Sequence, residues 1–133
     1  TQTGIGGLNA QTIISGETIN KKDTNGLKTG YWEITGAMQK DKSYTDSLIV
    51  EKGNYAKNRK VGQWVKYYPN GKKKSEIDYV NGRPKGHYIT YFDNGNIEEE
   101  GDWVRQKNTG NFKRYFKSGK IMQDLGYWIL NDV

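Results

Sequence analysis

The sequence predicts an all-β protein, an elongated and twisted antiparallel sheet built from stacked β-hairpins. Three observations support this prediction: a repeat of 24 residues, a glycine turn signal inside each repeat, and aromatic residues around each turn. Gly62, Gly86 and Gly110 start three successive units, and an aromatic residue follows each glycine two positions later. A short fixed period indicates an array of like units rather than one globular core, because each unit is stabilised by its neighbours.

The aligned units share columns of residues at this spacing. One column is entirely tyrosine and consists of Tyr67, Tyr91 and Tyr115. The next column is also aromatic and consists of Tyr68, Phe92 and Phe116. A turn dipeptide follows in each unit, namely Asn70-Gly71, Asn94-Gly95 and Ser118-Gly119. Each unit closes on an aromatic residue, Tyr79, Trp103 or Tyr127. Aromatic columns of this kind predict a thin layer held together by ring contacts.

The pattern extends one unit towards the N-terminus, because Tyr55 lies one period before Tyr79. This first unit is divergent, with about eight extra residues within 36–47 that lengthen its turn. We therefore expect an N-terminal leader or edge cap over 1–22 and a repeat array over 23–133. The expected units cover about 30–61, 62–85, 86–109 and 110–133.

Two turn types fit the Asn-Gly dipeptides. A two-residue type I′ turn requires positive φ at both residues, whereas Pro69 before the dipeptide also suits a type I turn with a glycine bulge. We predict the two-residue turn, because it places Trp64 opposite Ile77 and Phe92 opposite Ile97. The equivalent pair is Phe116 with Ile121, and Lys113 then lies opposite Asp124. The three-residue turn would place Trp64 opposite a charged residue, Glu76.

This register predicts which columns share a face of the sheet. The columns of residues 64, 68, 73, 77 and 79 form the buried face, and the tyrosine column lies on the opposite face. Gly53, Gly101 and Lys73 interrupt the apolar columns, and we expect them to weaken the core locally. Glu98 and Glu100 are expected to share one solvated strand face.

Composition excludes several classes of protein. The 133 residues contain no cysteine, so disulfide scaffolds and thiol chemistry are excluded. Only 33% of residues are hydrophobic, and no apolar run is long enough to cross a membrane as a helix. The net charge of +6 is unevenly distributed, since 62–85 hold six basic and two acidic groups whereas 86–109 hold two and five. This alternation argues against a continuous basic stripe for nucleic acid.

Candidate binding residues come from two groups. The tyrosine column of Tyr67, Tyr91 and Tyr115 is the candidate partner-binding strip, because tyrosine offers a large contact area at low entropic cost. Structural packing of these rings within the array is the alternative, and it is the favoured interpretation. The run of Lys72, Lys73 and Lys74 is the best candidate for anion binding, although a solvated hairpin tip is the favoured interpretation of these lysines. His87 is the single histidine, so paired-histidine metal sites are excluded. We predict no catalytic residue, no metal site and no cofactor.

The repeat resembles the variant MORN repeat (membrane occupation and recognition nexus) over about 23–133. The residues that carry the resemblance are Gly62, Trp64, Tyr67, Tyr68, Asn70, Gly71, Glu76, Tyr79, Asn81 and Gly82. The resemblance implies stacked β-hairpins and supplies no established catalytic residues. Bacterial members are labelled as exported repeat proteins or as the antitoxin component of toxin–antitoxin pairs. Eukaryotic arrays are associated with membrane lipids and with protein scaffolding.

These observations lead to an expected function. We expect a non-enzymatic scaffold that binds a protein partner through its sheet face in the bacterial cell envelope. The chain begins with Thr1 rather than methionine, so we expect that a segment has been removed, either as a signal peptide or when a shortened chain was prepared. Two alternatives are an antitoxin-like neutraliser of a small toxin and a binder of anionic lipid or nucleic acid. Open sheet edges would also allow two arrays to pair.

Overall fold

The structure is a computed structural model that describes residues 12–14, 17–104, 107–125 and 127–129. For residues 12–14, 17, 107–111, 127 and 128 it describes the backbone alone. The elements in chain order are β1 Thr12–Ile14, β2 Glu17–Ile19, β3 Lys21–Lys22, β4 Lys28–Thr35, α1 Gly36–Gln39, β5 Ile49–Ala56, β6 Arg59–Tyr67, β7 Lys73–Val80, β8 Arg83–Tyr91, β9 Ile97–Val104, β10 Lys107–Tyr115, β11 Ile121–Asp124 and β12 Tyr127–Trp128. The all-β prediction is confirmed.

Strands β3 to β12 form one open sheet in strict chain order, and each strand is antiparallel to the next. Strands β1 and β2 form a separate two-stranded ladder. The side-chain amide of Asn20 connects this ladder to β4. It donates to the Glu33 carbonyl at 3.1 Å and accepts a bond from the Glu33 N–H at 2.8 Å. Within the described ranges, no helix is long and apolar enough to cross a membrane.

Two of the junctions between units, at 57–58 and 81–82, are described by the structure, and both are two-residue turns. Lys57 and Asn58 both have positive φ, as do Asn81 and Gly82, which is the type I′ geometry. The strand residues that flank these turns pair directly, Ala56 with Arg59 and Val80 with Arg83. These turns and the 23–27 turn beside them lie along one side of the sheet, which we call the linker edge.

The turns within units lie along the opposite side, the tip edge, and the predicted two-residue turn is wrong there. The Gly71 N–H donates to the Tyr68 carbonyl at 2.9 Å, and the Tyr68 N–H donates to the Lys72 carbonyl at 2.8 Å. Only the glycine of this loop has positive φ, at 86°. The loop is therefore a three-residue type I turn with a glycine bulge. Pro69 suits the first central position of this turn because its φ is fixed near the required value. The turns at 92–96 and 116–120 form the same bonds with Asp93 and Lys117 at that position, so the turn does not depend on proline.

A second irregularity compensates for the longer turn. Between Lys66 and Tyr67 the register shifts by one, because Lys74 is an extra residue on β7. Away from the tip, the predicted pairs of Trp64 with Ile77 and of Lys113 with Asp124 are therefore confirmed.

Near the tips the predicted pairs are wrong. Ile97 lies opposite Tyr91 rather than Phe92, and Ile121 lies opposite Tyr115 rather than Phe116. Lys73 likewise lies opposite Tyr67. The column of residue 73 therefore belongs to the face with the tyrosines and not, as predicted, to the face with Trp64. An equivalent bulge in the next unit makes Glu98 the extra residue of β9. The predicted shared face of Glu98 and Glu100, which assumes regular alternation of side chains along the strand, therefore does not hold.

The core lies on one face of the sheet, which we call the Trp face. Trp32, Ile34 and Trp64 are buried there, and Tyr55 and Tyr79 pack against them. The Tyr55 ring meets Trp32 and Trp64 edge-on, with ring centroids 5.8 and 4.8 Å apart. These are favourable aromatic geometries and confirm that rings supply the core.

Gly53 does not weaken this core, contrary to the prediction. The Trp64 indole fills the space above it, and a Cβ at position 53 would lie 2.6 Å from the Trp64 Cγ. The glycine is therefore what allows the largest core side chain to lie flat on the sheet.

Successive units are tied together at the tip edge by repeated side-chain bonds. The Tyr68 hydroxyl donates to the Tyr91 carbonyl at 2.6 Å, and the Tyr44 hydroxyl donates to the Tyr67 carbonyl at 2.8 Å. Tyr44 thus occupies the column of Tyr68 despite the lengthened first turn. That turn contains α1, whose Thr35 cap accepts a bond from the Met38 N–H.

Candidate protein-binding face

The tyrosine column lies on the face opposite the Trp face, which we call the Tyr face. Tyr67, Tyr91 and Tyr115 end strands β6, β8 and β10, and all three are half-buried. Because each unit contributes two strands, successive rings are about 10 Å apart. The column therefore forms a regular line across the sheet.

Each tyrosine ring is held by a side chain from the preceding strand. The Tyr91 hydroxyl donates to Glu76 at 2.6 Å, and the Tyr115 hydroxyl donates to Glu100 at 3.0 Å. The Lys52 ammonium lies 5.6 Å from the Tyr67 ring centroid, in a cation–π contact. The three holding residues are themselves one period apart, so the repeat includes the support as well as the ring.

These contacts change the acidity of the groups involved. Burial, together with the Glu76 hydrogen bond, raises the pKa of Tyr91 to about 12. Burial and Glu100 raise the pKa of Tyr115 as well. Burial alone would raise the pKa of Glu76, but hydrogen bonds from Lys73 and Tyr91 outweigh it and the pKa is lowered. At neutral pH the Tyr91 hydroxyl is therefore a donor to a charged Glu76 carboxylate.

Apolar residues surround the tyrosines. Ile97 and Ile121 lie directly opposite Tyr91 and Tyr115, and Val65 and Ile89 lie two residues before Tyr67 and Tyr91 on the same strands. The sequence predicts Ile97 and Ile121 on the other face. The bulges that place them on the Tyr face leave no signal in the hydrophobic pattern. The tyrosines and these two isoleucines together are called the tyrosine strip below.

Two carboxylates, Asp78 and Asp102, lie beside the tyrosine strip on the side towards the linker edge. Asp102 lies opposite the exposed His87, whose Nδ1 is 3.4 Å from the Asp102 carboxylate. In the described part of the chain, no group of three histidine or acidic residues could hold a metal ion. The arrangement offers recognition by rings, apolar side chains and carboxylates.

The predicted anion-binding lysines lie at the tip edge and contact three different partners. Lys73 forms an ion pair with Glu76 at 2.8 Å, which raises the pKa of Lys73. Lys74 lies over the Tyr68 ring at 5.6 Å from its centroid. Lys72 donates to the Asn94 carbonyl of the next tip at 3.4 Å. The three ammonium groups therefore serve different local contacts.

An open, single-layered sheet of consecutive hairpins with a regular outer strip defines the class of β-hairpin repeat proteins. Three consecutive stretches, 60–81, 84–104 and 108–128, match the model of the MORN repeat variant. The chain therefore belongs to the MORN repeat variant family, as its sequence resemblance predicts. No curated protein matches the chain significantly. MORN repeats are generally associated with contacts to proteins or membrane lipids.

Proposed function

We propose that this chain is a non-enzymatic scaffold that binds a protein partner along the tyrosine strip of its Tyr face. The single observation that carries the proposal is the fixed hydroxyl of two of the three tyrosines, Tyr91 bonded to Glu76 and Tyr115 bonded to Glu100. Rings that are already oriented lose little conformational entropy when a partner covers them, which favours binding. Tyrosine is also enriched in protein interfaces for its combination of apolar ring and polar hydroxyl.

The size of the strip supports the same proposal. Three rings at about 10 Å spacing extend over roughly 20 Å, a length comparable to that of one β-strand of a partner. Ile97 and Ile121 lie beside them and would be covered together with the rings. The acidic groups on one flank would select a partner with basic residues at the rim of its interface.

A crosslinking experiment tests the location of the interface. A photoreactive phenylalanine analogue replaces Tyr91 in one variant and Phe116 in another, and whole-cell crosslinks are identified by mass spectrometry. We expect one protein to crosslink through position 91 and not through position 116. The variant Y67A/Y91A/Y115A should lose this partner, whereas Y67F/Y91F/Y115F should bind it with intermediate affinity, because the rings remain but the bonds that orient two of them are lost.

The result that contradicts the proposal is capture of the same partner by the folded triple alanine variant. The matched control F92A/F116A removes rings from the neighbouring column and should retain the partner. The proposed location is a bacterial cell envelope, and fractionation of cells that produce the protein tests it. Finding the protein only in the cytosolic fraction would overturn that location without affecting the interface.

A further inference from the structure

Cationic residues gather along the linker edge, although net charge alternates from unit to unit. Segments 21–28, 56–60 and 80–85 contain Lys21, Lys22, Lys28, Lys57, Arg59, Lys60, Arg83 and Lys85. The single acid in these segments is Asp23, whose carboxylate accepts bonds from the N–H groups of Asn25 and Leu27. Each unit contributes residues to both edges of the sheet, so the net charge of a unit does not reveal the positive charge of the linker edge.

Two linker turns of this edge enclose an open cleft of about 430 Å³. Its lining consists of Tyr55, Asn58, Arg59, Lys60, Asn81, Gly82 and Arg83. Three of these side chains are cationic and none is acidic. The volume lies within the range of small-ligand sites, and a single phosphate group with its neighbouring sugar would fit.

Contacts within the cleft hold the turns together. The Gly82 N–H donates to the Lys60 carbonyl at 2.8 Å, and the Arg59 Nη1 donates to the Asn81 Oδ1 at 3.2 Å. A Cβ on Gly82 would lie 3.5 Å from the Arg59 Cβ, so the arginine stem passes directly beside this turn. The guanidinium of Arg59 is thus fixed at the mouth of the cleft by one of its nitrogens.

The three cations of the cleft differ in their availability. Lys60 forms an ion pair with Glu51 at 2.8 Å, and its ammonium lies 4.5 Å from the Trp64 ring centroid. Its charge is therefore largely balanced by contacts within the protein. Within the described residues, Arg59 and Arg83 form no ion pair, and both are exposed. An arginine fork matches the oxygens of a phosphate in a bidentate geometry.

We propose that this cleft binds a phosphate of a nucleic-acid strand, with Arg59 and Arg83 as its ligands. Lys57 and Lys85 extend the positive charge on either side, so that neighbouring phosphates of the same strand are also contacted. The site lies on the linker edge and is independent of the protein interface proposed for the Tyr face.

A strand fits this edge better than a flat membrane does. The linker edge is as narrow as a single sheet, and the twist of the sheet makes this edge follow a curved line. A flexible nucleic-acid strand can bend along that line. A planar bilayer would touch only part of that line. Val80 and Val104 are exposed to 53% and 47% near the same edge, which makes an anionic bilayer the competing partner in the test.

Fluorescence anisotropy with a labelled single-stranded DNA of about 20 nucleotides tests the proposal, at salt concentrations from about 50 to 200 mM. In R59A/R83A we expect binding weaker by about 10-fold for each arginine. The slope of log affinity against log salt should fall by about 0.7 for each lost phosphate contact. The matched control K42A/K120A removes the same charge from the tip edge and should bind as the unmodified chain does.

Three outcomes would overturn the proposal. The first is an equal loss of affinity in R59A/R83A and K42A/K120A, because that would reflect net charge alone. The second is no binding of the DNA at the lowest salt concentration. The third is binding of vesicles that contain anionic phospholipid when the DNA is not bound.

Two further measurements keep the test valid if the alanine variant fails to fold. R59K/R83K retains the charge and loses the forks, so intermediate affinity is expected. In the unmodified chain, the NMR signals of the Nε–H groups of Arg59 and Arg83 should shift when DNA is added. Unchanged signals at saturating DNA would contradict the proposal.

Discussion

The Trp64 indole lies directly on Gly53, and this contact organises the core. Trp64 is 2% exposed although the sheet is a single layer, and its Nε1 donates to the Asn54 carbonyl at 2.9 Å. The same pairing of glycine with an aromatic ring recurs two periods later, where Gly101 lies opposite Phe112. Between them Ile77 lies opposite Tyr88. Glycine at these positions provides space for the rings rather than interrupting the core.

The substitution G53A should destabilise the protein by about 1–3 kcal/mol, because the added methyl group overpacks the site against the indole. Gly53 has no positive φ, so backbone strain does not contribute. Urea unfolding followed by tryptophan fluorescence measures the effect. N54A is the control, since its exposed side chain should change stability by less than about 0.5 kcal/mol. An unchanged midpoint in G53A would show that the ring can move aside.

The tyrosine hydroxyls at the tip edge should each stabilise the contact between units. Y68F removes the bond to the Tyr91 carbonyl and should cost about 0.5–1.5 kcal/mol, and Y44F should cost a similar amount. In the next unit the same column holds Phe92, so F92Y should form the missing bond and stabilise the protein. Thermal unfolding of the three variants measures these effects. A lower midpoint in F92Y would contradict the periodic role of this column.

The geometry of the tip turns predicts that proline in place of Lys117 stabilises the protein. Pro69 occupies the first central position of its type I turn, and Lys117 occupies the equivalent position two units later. Proline there should restrict the unfolded chain and stabilise the protein by about 0.4–1 kcal/mol. The exposed ion pair of Lys117 with Asp93 is lost, which costs little. Urea unfolding of K117P and of the control K117A separates the two effects, and equal stability of both would refute the turn assignment.

The Tyr91–Glu76 bond should be visible in alkaline titration. Because the pKa of Tyr91 is raised to about 12, its folded-state ionisation should follow that of ordinary tyrosines near 10. Its contribution to stability is fully present below about pH 10 and is lost as the pH rises through about 12. Absorbance at the tyrosinate band measures the ionisation. E76Q should lower the pKa of Tyr91, although burial keeps it above that of a free tyrosine.

Glu76 should contribute to stability at the acid end. Its pKa is lowered in the folded protein, so its contribution is present above its unfolded value of 4.5 and is lost as the pH falls. Urea midpoints measured between neutral pH and pH 3 should therefore decrease less steeply in E76Q than in the unmodified chain. Parallel decreases in both proteins would show that the ion pair with Lys73 and the Tyr91 bond do not affect folding.

Sequence patterns predicted part of the candidate site. The tyrosines were found because a constant residue at constant spacing lies on one face of every hairpin. Ile97 and Ile121 were assigned to the wrong face, because each is separated from the regular ladder by a bulged residue. The cations of the linker edge were missed, because Arg59 and Arg83 begin strands β6 and β8 next to neighbouring turns and are far apart in sequence.

The amino-acid sequence by itself determined the hairpin repeat, its period, the strand pairs away from the turns and the face that carries Tyr91. These follow from local turn chemistry and from the alternation of side chains along a strand, which each unit encodes independently. Only the tertiary structure decided the two bulges at each tip, the seat of Trp64 on Gly53 and the cleft between Arg59 and Arg83. Those features depend on how neighbouring strands fit against each other, and a ladder can absorb an extra residue without any change in its pattern of residue types.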